Sequence, residues 1–232
     1  MITIGAHDIT HPHPGFSMHC VTTRDDWGRV RLLRYVNLLE QGDIEANPEC
    51  SYHDGHDRGT EGATFLLTRD RRPMGTVRAS LDSPLRCGAL PSMGAFEREI
   101  RTTIGLDRTT VEASLFANDP ASHLDRRVTL LHLLKGPLLI CTLVNADWLI
   151  IAVREEEIGF YRRMLDMEIL SGAEPLTGIA APRVLMGLPY REHAAHVFKR
   201  IPLLSVTQAE VREYAASGFV RFADPARRQH AA

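Results

Sequence analysis

The sequence of 232 residues predicts an α/β fold in which a mixed, mostly antiparallel sheet is flanked by helices. The run Thr110–Ala117 is strand-like and carries one acid, Glu112, among apolar or small residues. A long apolar stretch of helical character follows it, and a second apolar strand, Trp148–Val153, comes next. Two further strand-like runs, Ala63–Thr68 and Met74–Leu81, are separated by a turn and predict a hairpin.

The remaining elements follow from local signals in chain order. A helix is predicted from Arg24 to about Gln41, because acids lie near its start and Gly42 lies just past its end. The 3.6-residue spacing assigns its buried face to Leu32, Tyr35, Val36 and Leu39. The later elements are a short helix over Phe96–Thr103, a long helix capped by Ser122 or Asp125 and kinked at Pro137, a helix over Glu155–Met164, a strand over Arg183–Tyr190 and a helix over Ser205–Ser217.

These elements fit one domain. We expect an irregular N-terminal arm over residues 1–23, the main domain over 24–200, and a C-terminal helix and tail over 201–232. Lys and Arg number 27 against 29 Asp and Glu, a net charge of -2, so no global attraction to nucleic acid or anionic lipid is expected.

Two features bear on the cellular setting. The four cysteines are widely spaced with no CxxC pair, and the first residues do not resemble a signal peptide, which together predict a reduced, cytoplasmic protein. The apolar stretch Val128–Val153 approaches the length of a membrane span, but charged and polar residues interrupt it. Because such groups are costly in lipid, a buried helix followed by a buried strand is predicted, with no integral membrane span.

Several segments carry a family resemblance. They are Arg31-Leu-Leu-Arg34-Tyr35 in the first helix, Gly75-Thr-Val-Arg78-Ala79 in the hairpin, Val111-Glu-Ala-Ser114 in the acidic strand, and FYRRMLDME from Phe160. With the order of elements, they resemble the N-acyl amino acid synthases, which have the GNAT acyltransferase fold and are relatives of the acyl-homoserine lactone synthases. The resemblance covers about residues 24–190 and implies an acyltransferase.

The resemblance also implies the acyl donor. Acetyl-CoA-dependent members of the fold hold the pyrophosphate on a glycine-rich turn, whereas this chain has no glycine between Glu112 and Gly136. A medium or long acyl chain on the phosphopantetheine of an acyl carrier protein is therefore the favoured donor, with acyl-CoA as the alternative. No resident cofactor is expected. Arg126 and Arg127 are the expected contacts for the acidic carrier and its phosphodiester.

Glu112 is the candidate general base for an attacking amine, and its alternative role is an ion pair with Arg78 or Arg34. Tyr161 matches the tyrosine that protonates the leaving thiolate in this fold, although the helical face that it shares with Ile158 and Leu165 favours a core tyrosine. Arg34 and Arg78 are candidates for binding the carboxylate of an amino acid acceptor, with surface solvation as the alternative, above all for Arg34.

Other substrate contacts are implied by the resemblance. An apolar acyl tunnel is expected between the Glu112 and Trp148 strands, and the candidates are Ser114, Phe116 and Trp148. Asp54 and Asp57 lie where acids of the lactone synthases contact the acceptor. Those enzymes have arginine after the serine of the acidic strand. Leu115 stands there in this chain, which favours a plain amino acid over S-adenosylmethionine.

Three alternatives to this reading stay open. The histidines near Asp54 and Asp57 have metal-ligand chemistry, but their loose spacing fits a polar loop and no metal is predicted. An acetyl-CoA-dependent acetyltransferase of a small amine is a second functional hypothesis. A non-catalytic acyl- or partner-binding module of the same fold is a third. The cysteines have no His–Asp arrangement nearby, so a cysteine nucleophile is not expected.

Overall fold

The computed structural model describes residues 15–58, 62–85, 90–122 and 124–220. One sheet of eight strands runs through these residues in the order β6-β7-β5-β4-β3-β2-β1-β8. The strands are β1 (Phe16–Cys20), β2 (Gly62–Arg69), β3 (Arg72–Asp82), β4 (Thr110–Asn118), β5 (Trp148–Val153), β6 (Glu168–Glu174), β7 (Arg183–Pro189) and β8 (Phe219–Val220). The helices are α1 (Arg24–Glu40), α2 (Met93–Glu99), α3 (Arg126–Val144), α4 (Ile158–Leu165), α5 (Tyr190–Arg200) and α6 (Gln208–Ser217).

The pairing of the strands confirms the predicted mixed sheet. β4 and β5 are parallel, and the other pairs described are antiparallel. The β2–β3 hairpin is tighter than predicted, because Asp70 and Arg71 both have positive φ and make the whole turn.

Helices cover both faces of the sheet. On one face, Phe65, Ala113 and Ile151 pack with α3 in the main core. On the other face, Leu66 and Ala117 pack against α1, while Ile150 and Leu185 pack with Phe96 of α2. Glu112 and Arg78 alternate with main-core residues along β4 and β3, so their side chains lie on the α1/α2 face.

The predicted buried face of α1 is correct only in part, because Tyr35 is 6% exposed as predicted but two of the predicted leucines are exposed. Leu32 is 51% exposed and Leu39 is 37% exposed. The helix instead buries Val30, Leu33, Arg34, Tyr35, Asn37 and Leu38. The face is rotated because Arg34 points inward to an ion pair with Asp57, a partner distant in sequence.

Helix α3 begins where Asp125 caps it, and it runs through Pro137 as one element. Asp125 accepts a hydrogen bond from the Arg127 backbone N–H at 2.8 Å, so Asp125 rather than Ser122 is the cap. By length and composition α3 is the one described helix that is able to cross a bilayer, but 72% of its apolar window is buried in the fold. It is therefore the predicted core helix.

Some elements were not predicted. Phe16–Cys20 form β1 and pair with β2, so the irregular arm assigned to residues 1–23 does not include them, and residues 1–14 lie outside the described part. β6 and α5 were also missed. Leu203 and Leu204 join the main core and β8 pairs with β1, so the C-terminal segment is packed on the domain as far as residue 220. The proposed domain boundaries remain predictions.

Candidate active site

A cavity of about 630 Å³ opens where β4 and β5 separate. The two strands pair only from Thr110↔Trp148 to Ala113↔Ile151, and β4 then continues without β5. At this point Leu115 has φ 52, and the register between β3 and β4 shifts, which is a β-bulge. The gap passes through the sheet, so the cavity is lined by residues from both faces.

The two sides of the cavity differ in chemistry. On the α1/α2 side the lining includes Asp54, Arg78, Leu90, Met93 and Glu112. On the α3/α4 side it includes Phe116, Arg126, Leu130, Val153 and Tyr161. The predicted tunnel between the two strands therefore coincides with the position of this cavity.

Glu112 is buried at the centre of the site. It is 1% exposed, and both hydrogen bonds that it accepts within the described residues end on Oε2. The Ser92 backbone N–H donates at 3.0 Å and the Ser92 hydroxyl donates at 2.7 Å. Glu112 makes no direct ion pair with Arg78 or Arg34, which was its alternative role. Both arginines pair with aspartates instead.

Burial raises the pKa of Glu112 from 4.5 to about 7. The hydrogen bonds from Ser92 and the charge of Arg78 act in the opposite direction, and the charge of Asp54 adds to the effect of burial. A carboxyl group with a pKa near neutrality exchanges its proton readily at physiological pH. Glu112 therefore has the properties of a general base or acid.

Arg78 and Arg34 are held by two acids of the loop that follows α1. Arg78 donates to both oxygens of Asp54, to Asp57 Oδ1 at 3.3 Å and, through Nε, to Ser114 Oγ at 3.1 Å. Arg34 Nη1 donates to Asp57 at 2.7 and 2.8 Å. The charges of Arg78 and Arg34 lower the pKa of Asp54, although burial alone would raise it.

This network changes the expectation for the two arginines. Arg34 is wholly buried, so a solvated Arg34 is excluded. An acceptor carboxylate would have to replace Asp54 or Asp57 to reach either guanidinium group. Asp54 itself lines the cavity, while the Asp57 side chain is 4% exposed and lies behind it against Arg34.

The position of Tyr161 is compatible with both predicted roles, a proton donor to the leaving thiolate and a core tyrosine. Its side chain belongs to the main core and also lines the cavity. Burial raises the pKa of its phenol well above the usual value, and Glu157 adds to this effect. The phenol is therefore neutral at physiological pH.

Arg126 and Arg127 are the first two residues of α3. Arg126 lines the cavity with a side chain that is 56% exposed, and its guanidinium is 3.8 Å from Glu157. Arg127 is exposed beside it but is not among the cavity residues. Ser114 and Phe116 line the cavity, whereas Trp148 lies at the far end of β5 and packs against the second core cluster.

Sequence reasoning missed two groups of residues near the cavity. Ser92 lies in a connection rich in Pro and Gly, where no periodicity marks it. Asp43 is buried between Arg154 and Arg183, at 2.8 and 2.6 Å, and ties the end of β5 and the start of β7 to the loop after α1. Within the described ranges, no three His, Cys, Asp or Glu side chains meet at a possible metal site, and the expected absence of a metal remains a prediction.

Comparison with known proteins agrees with this geometry. A family model described as N-acyl amino acid synthase FeeM matches residues 29–189. No curated protein sequence matches the chain. Among solved structures, FeeM, an N-acyl amino acid synthase from uncultured soil microbes, superposes with a TM-score of 0.66 at 16% identity, over 81% of this chain and 98% of that chain.

Two lactone synthases are also similar in fold. The acyl-homoserine lactone synthase LasI has a TM-score of 0.61 at 15% identity, over 83% of this chain and 97% of that chain. The CoA-dependent acyl-homoserine lactone synthase BjaI has a TM-score of 0.57 at 15% identity, over 84% of this chain and 93% of that chain. The chain belongs to the FeeM family of N-acyl amino acid synthases and is an N-acyltransferase with the GNAT fold.

Proposed function

We propose that the enzyme transfers a medium or long acyl chain from the phosphopantetheine thioester of an acyl carrier protein to the amine of an amino acid. One observation carries the proposal. A single cavity runs through the split sheet, with a buried carboxyl of pKa about 7 on one side and apolar side chains on the other. In this proposal the acyl chain occupies the apolar side, and its thioester lies beside Glu112.

The loop before α3 supports a carrier protein over CoA as donor. Three of the described backbone N–H groups in this loop and at the helix start already have side-chain acceptors there. Ala121 N–H donates to Asp119, Leu124 N–H to Ser122, and Arg127 N–H to Asp125. A pyrophosphate would find these amides occupied and two carboxylates nearby, whereas a carrier protein presents a single phosphodiester.

In the proposed reaction, the amine nitrogen attacks the thioester carbonyl carbon. A C–N bond forms, the C–S bond breaks, and the proton lost by the amine goes to Glu112 directly or through a water. We assign the carbonyl oxygen to backbone N–H groups at the Leu115 bulge, where neither β3 nor β5 continues a regular ladder. The thiolate takes a proton from Tyr161, which solvent then restores.

Asp54 is the proposed contact for the acceptor amine, because its carboxylate faces the cavity beside Glu112. Arg78 and Arg34 then serve the acceptor by fixing Asp54 and Asp57, and Ser114 is held by Arg78 in the same network. At the other end of the cavity, Arg126 and Arg127 are the proposed contacts for the acidic carrier. Their exposure at the start of α3 supports this role.

The test is product analysis by mass spectrometry. The purified enzyme is incubated with acyl carrier proteins of several acyl lengths, or with acyl-CoAs of the same lengths, and a pool of amino acids. The proposal expects an N-acyl amino acid from the carrier donors. Turnover with acyl-CoA alone would show that the donor is acyl-CoA and not the acyl carrier protein. BjaI, a structure of similar fold, is a CoA-dependent synthase. No product from either donor would reject the function.

A further inference from the structure

The start of helix α2 supplies both hydrogen bonds that Glu112 accepts within the described part of the chain. Ser92 is 0% exposed, and its backbone N–H and hydroxyl both donate to Oε2, at 3.0 and 2.7 Å. No described residue donates to Oε1, although Glu112 lines the cavity. We propose that Ser92 is a positioning residue, which fixes Oε2 with two donors and leaves Oε1 to take the proton from the substrate amine. This inference rests on the proposed role of Glu112.

The conformation of Ser92 supports a role outside its own helix. Ser92 is the N-cap residue of α2, a position where a serine side chain usually accepts a hydrogen bond from an amide of the first turn. Here the side chain makes no such bond, and the backbone has φ -79 and ψ -8 instead of the extended conformation usual for a cap. The hydroxyl therefore donates to Glu112, and the first turn of α2 has no side-chain cap from Ser92.

The surroundings of Glu112 make this contact important for its charge. Arg78 on β3 favours the carboxylate, but Asp54 on the loop after α1 opposes it, and β5 presents the apolar Ile150 opposite Glu112. Asp54 also engages both terminal nitrogens of Arg78, which weakens the net positive charge near Glu112. Ser92 therefore provides the direct contacts that keep the buried carboxyl ionisable near neutral pH.

The experiment is the pH dependence of kcat/KM for Ser92→Ala. It is measured by thiol release with the donor and acceptor that the product analysis identifies. Loss of one hydrogen bond to a carboxylate should move the acidic limb of the profile to higher pH by about one to two units. Activity at neutral pH should fall about 10- to 100-fold and recover as the pH rises. Ser92→Cys, whose thiol is a weak donor, should lie between Ser92→Ala and the parent enzyme.

Thr76→Val is the matched control. Thr76 is equally buried, and its hydroxyl donates to the Phe65 carbonyl at 2.8 Å, away from the cavity. Its loss should leave the limb in place even where stability falls. An unshifted limb in folded Ser92→Ala, or in Ser92→Cys if the alanine variant does not fold, overturns the inference. Full activity of Glu112→Gln would instead overturn the underlying role of Glu112, so the two failures are distinguishable.

Discussion

The two sides of the cavity are built by opposite physical means. The α1/α2 side holds Glu112, Ser92 and the two arginine–aspartate pairs, all substantially removed from water. Apart from Arg126 and Glu157, the α3/α4 side is lined mainly by aliphatic and aromatic side chains that continue the main core. Buried charges are costly and rarely stabilise a fold more than apolar residues of the same volume. The charged side is therefore best explained by chemistry, and the apolar side by ordinary packing that also accommodates an acyl chain.

The largest expected effect of a substitution is on the charged side. Glu112→Gln keeps an oxygen that can accept from Ser92 but takes up no proton, so kcat should fall about 10²- to 10⁴-fold. Steady-state thiol release and product formation measure this fall. Glu97→Gln, on the exposed surface of α2, is the control and should leave kcat unchanged. Near-normal turnover by a folded Glu112→Gln enzyme would show that Glu112 is not the base.

The second effect is on the buried ion pairs. Arg34→Met leaves the Asp57 carboxylate buried, with Arg78 at 3.3 Å as its one remaining ion-pair partner among the described residues. The free energy of unfolding should fall by about 3–5 kcal/mol in urea denaturation. Arg29→Met, at an exposed arginine of the same helix, should change it by less than about 0.5 kcal/mol.

A double variant sharpens this result. Arg34→Met combined with Asp57→Leu removes both charges and should recover much of the lost stability, because no unpaired charge remains buried. If Arg34→Met alone is as stable as the parent protein, the pair is not a structural requirement of the charged side.

The third effect is a pH dependence of stability. The pKa of Glu112 is higher in the folded protein, about 7, than its ordinary value of 4.5, so the folded state binds this proton more tightly. The resulting stabilisation is complete below about pH 4.5 and is lost as the pH rises through 7. At about 1.4 kcal/mol per pKa unit, the loss is on the order of 3 kcal/mol.

Glu112→Gln removes this dependence, because glutamine does not titrate. Urea denaturation should therefore find the variant more stable than the parent protein at pH 8, by an amount that disappears toward pH 4.5. Equal pH dependence of the two proteins would mean that Glu112 is ionised as easily as an exposed glutamate. The combination of lost activity and gained stability would mark a residue kept for function.

Sequence reasoning was most successful where the chain itself carries a periodic signal. β5 was predicted with its observed bounds, and β4 within one residue, because a run of apolar residues between turn signals is a local property. The polar edge strand β6 was missed because its residues are mostly exposed and do not alternate. Such a strand is defined by its pairing with β7, which no local pattern reports.

The charged side of the cavity was the least predictable part. The buried face of α1 depends on Arg34 meeting Asp57, and the state of Glu112 depends on Ser92, 20 residues earlier in the chain. These contacts form only when loops without periodicity pack over the sheet. The resemblance placed Glu112, Arg78 and Asp54 near one another but said nothing of which arginine holds which acid.

The smallest expected effect lies on the apolar side. Leu130 on α3 is partly buried and lines the cavity, so the larger side chain of Leu130→Phe fills part of the cavity and adds little strain to the core. The preferred acyl chain should become shorter, with about a 10-fold change in relative kcat/KM between long and short donors. Leu143→Phe, at a 42% exposed position of the same helix, should leave the preference unchanged. Competition between acyl carrier proteins of two lengths, read by mass spectrometry, measures the ratio. An unchanged ratio in Leu130→Phe would mean that the acyl chain does not bind on the apolar side. The proposed division of the cavity into a charged side for catalysis and an apolar side for the acyl chain would then be wrong.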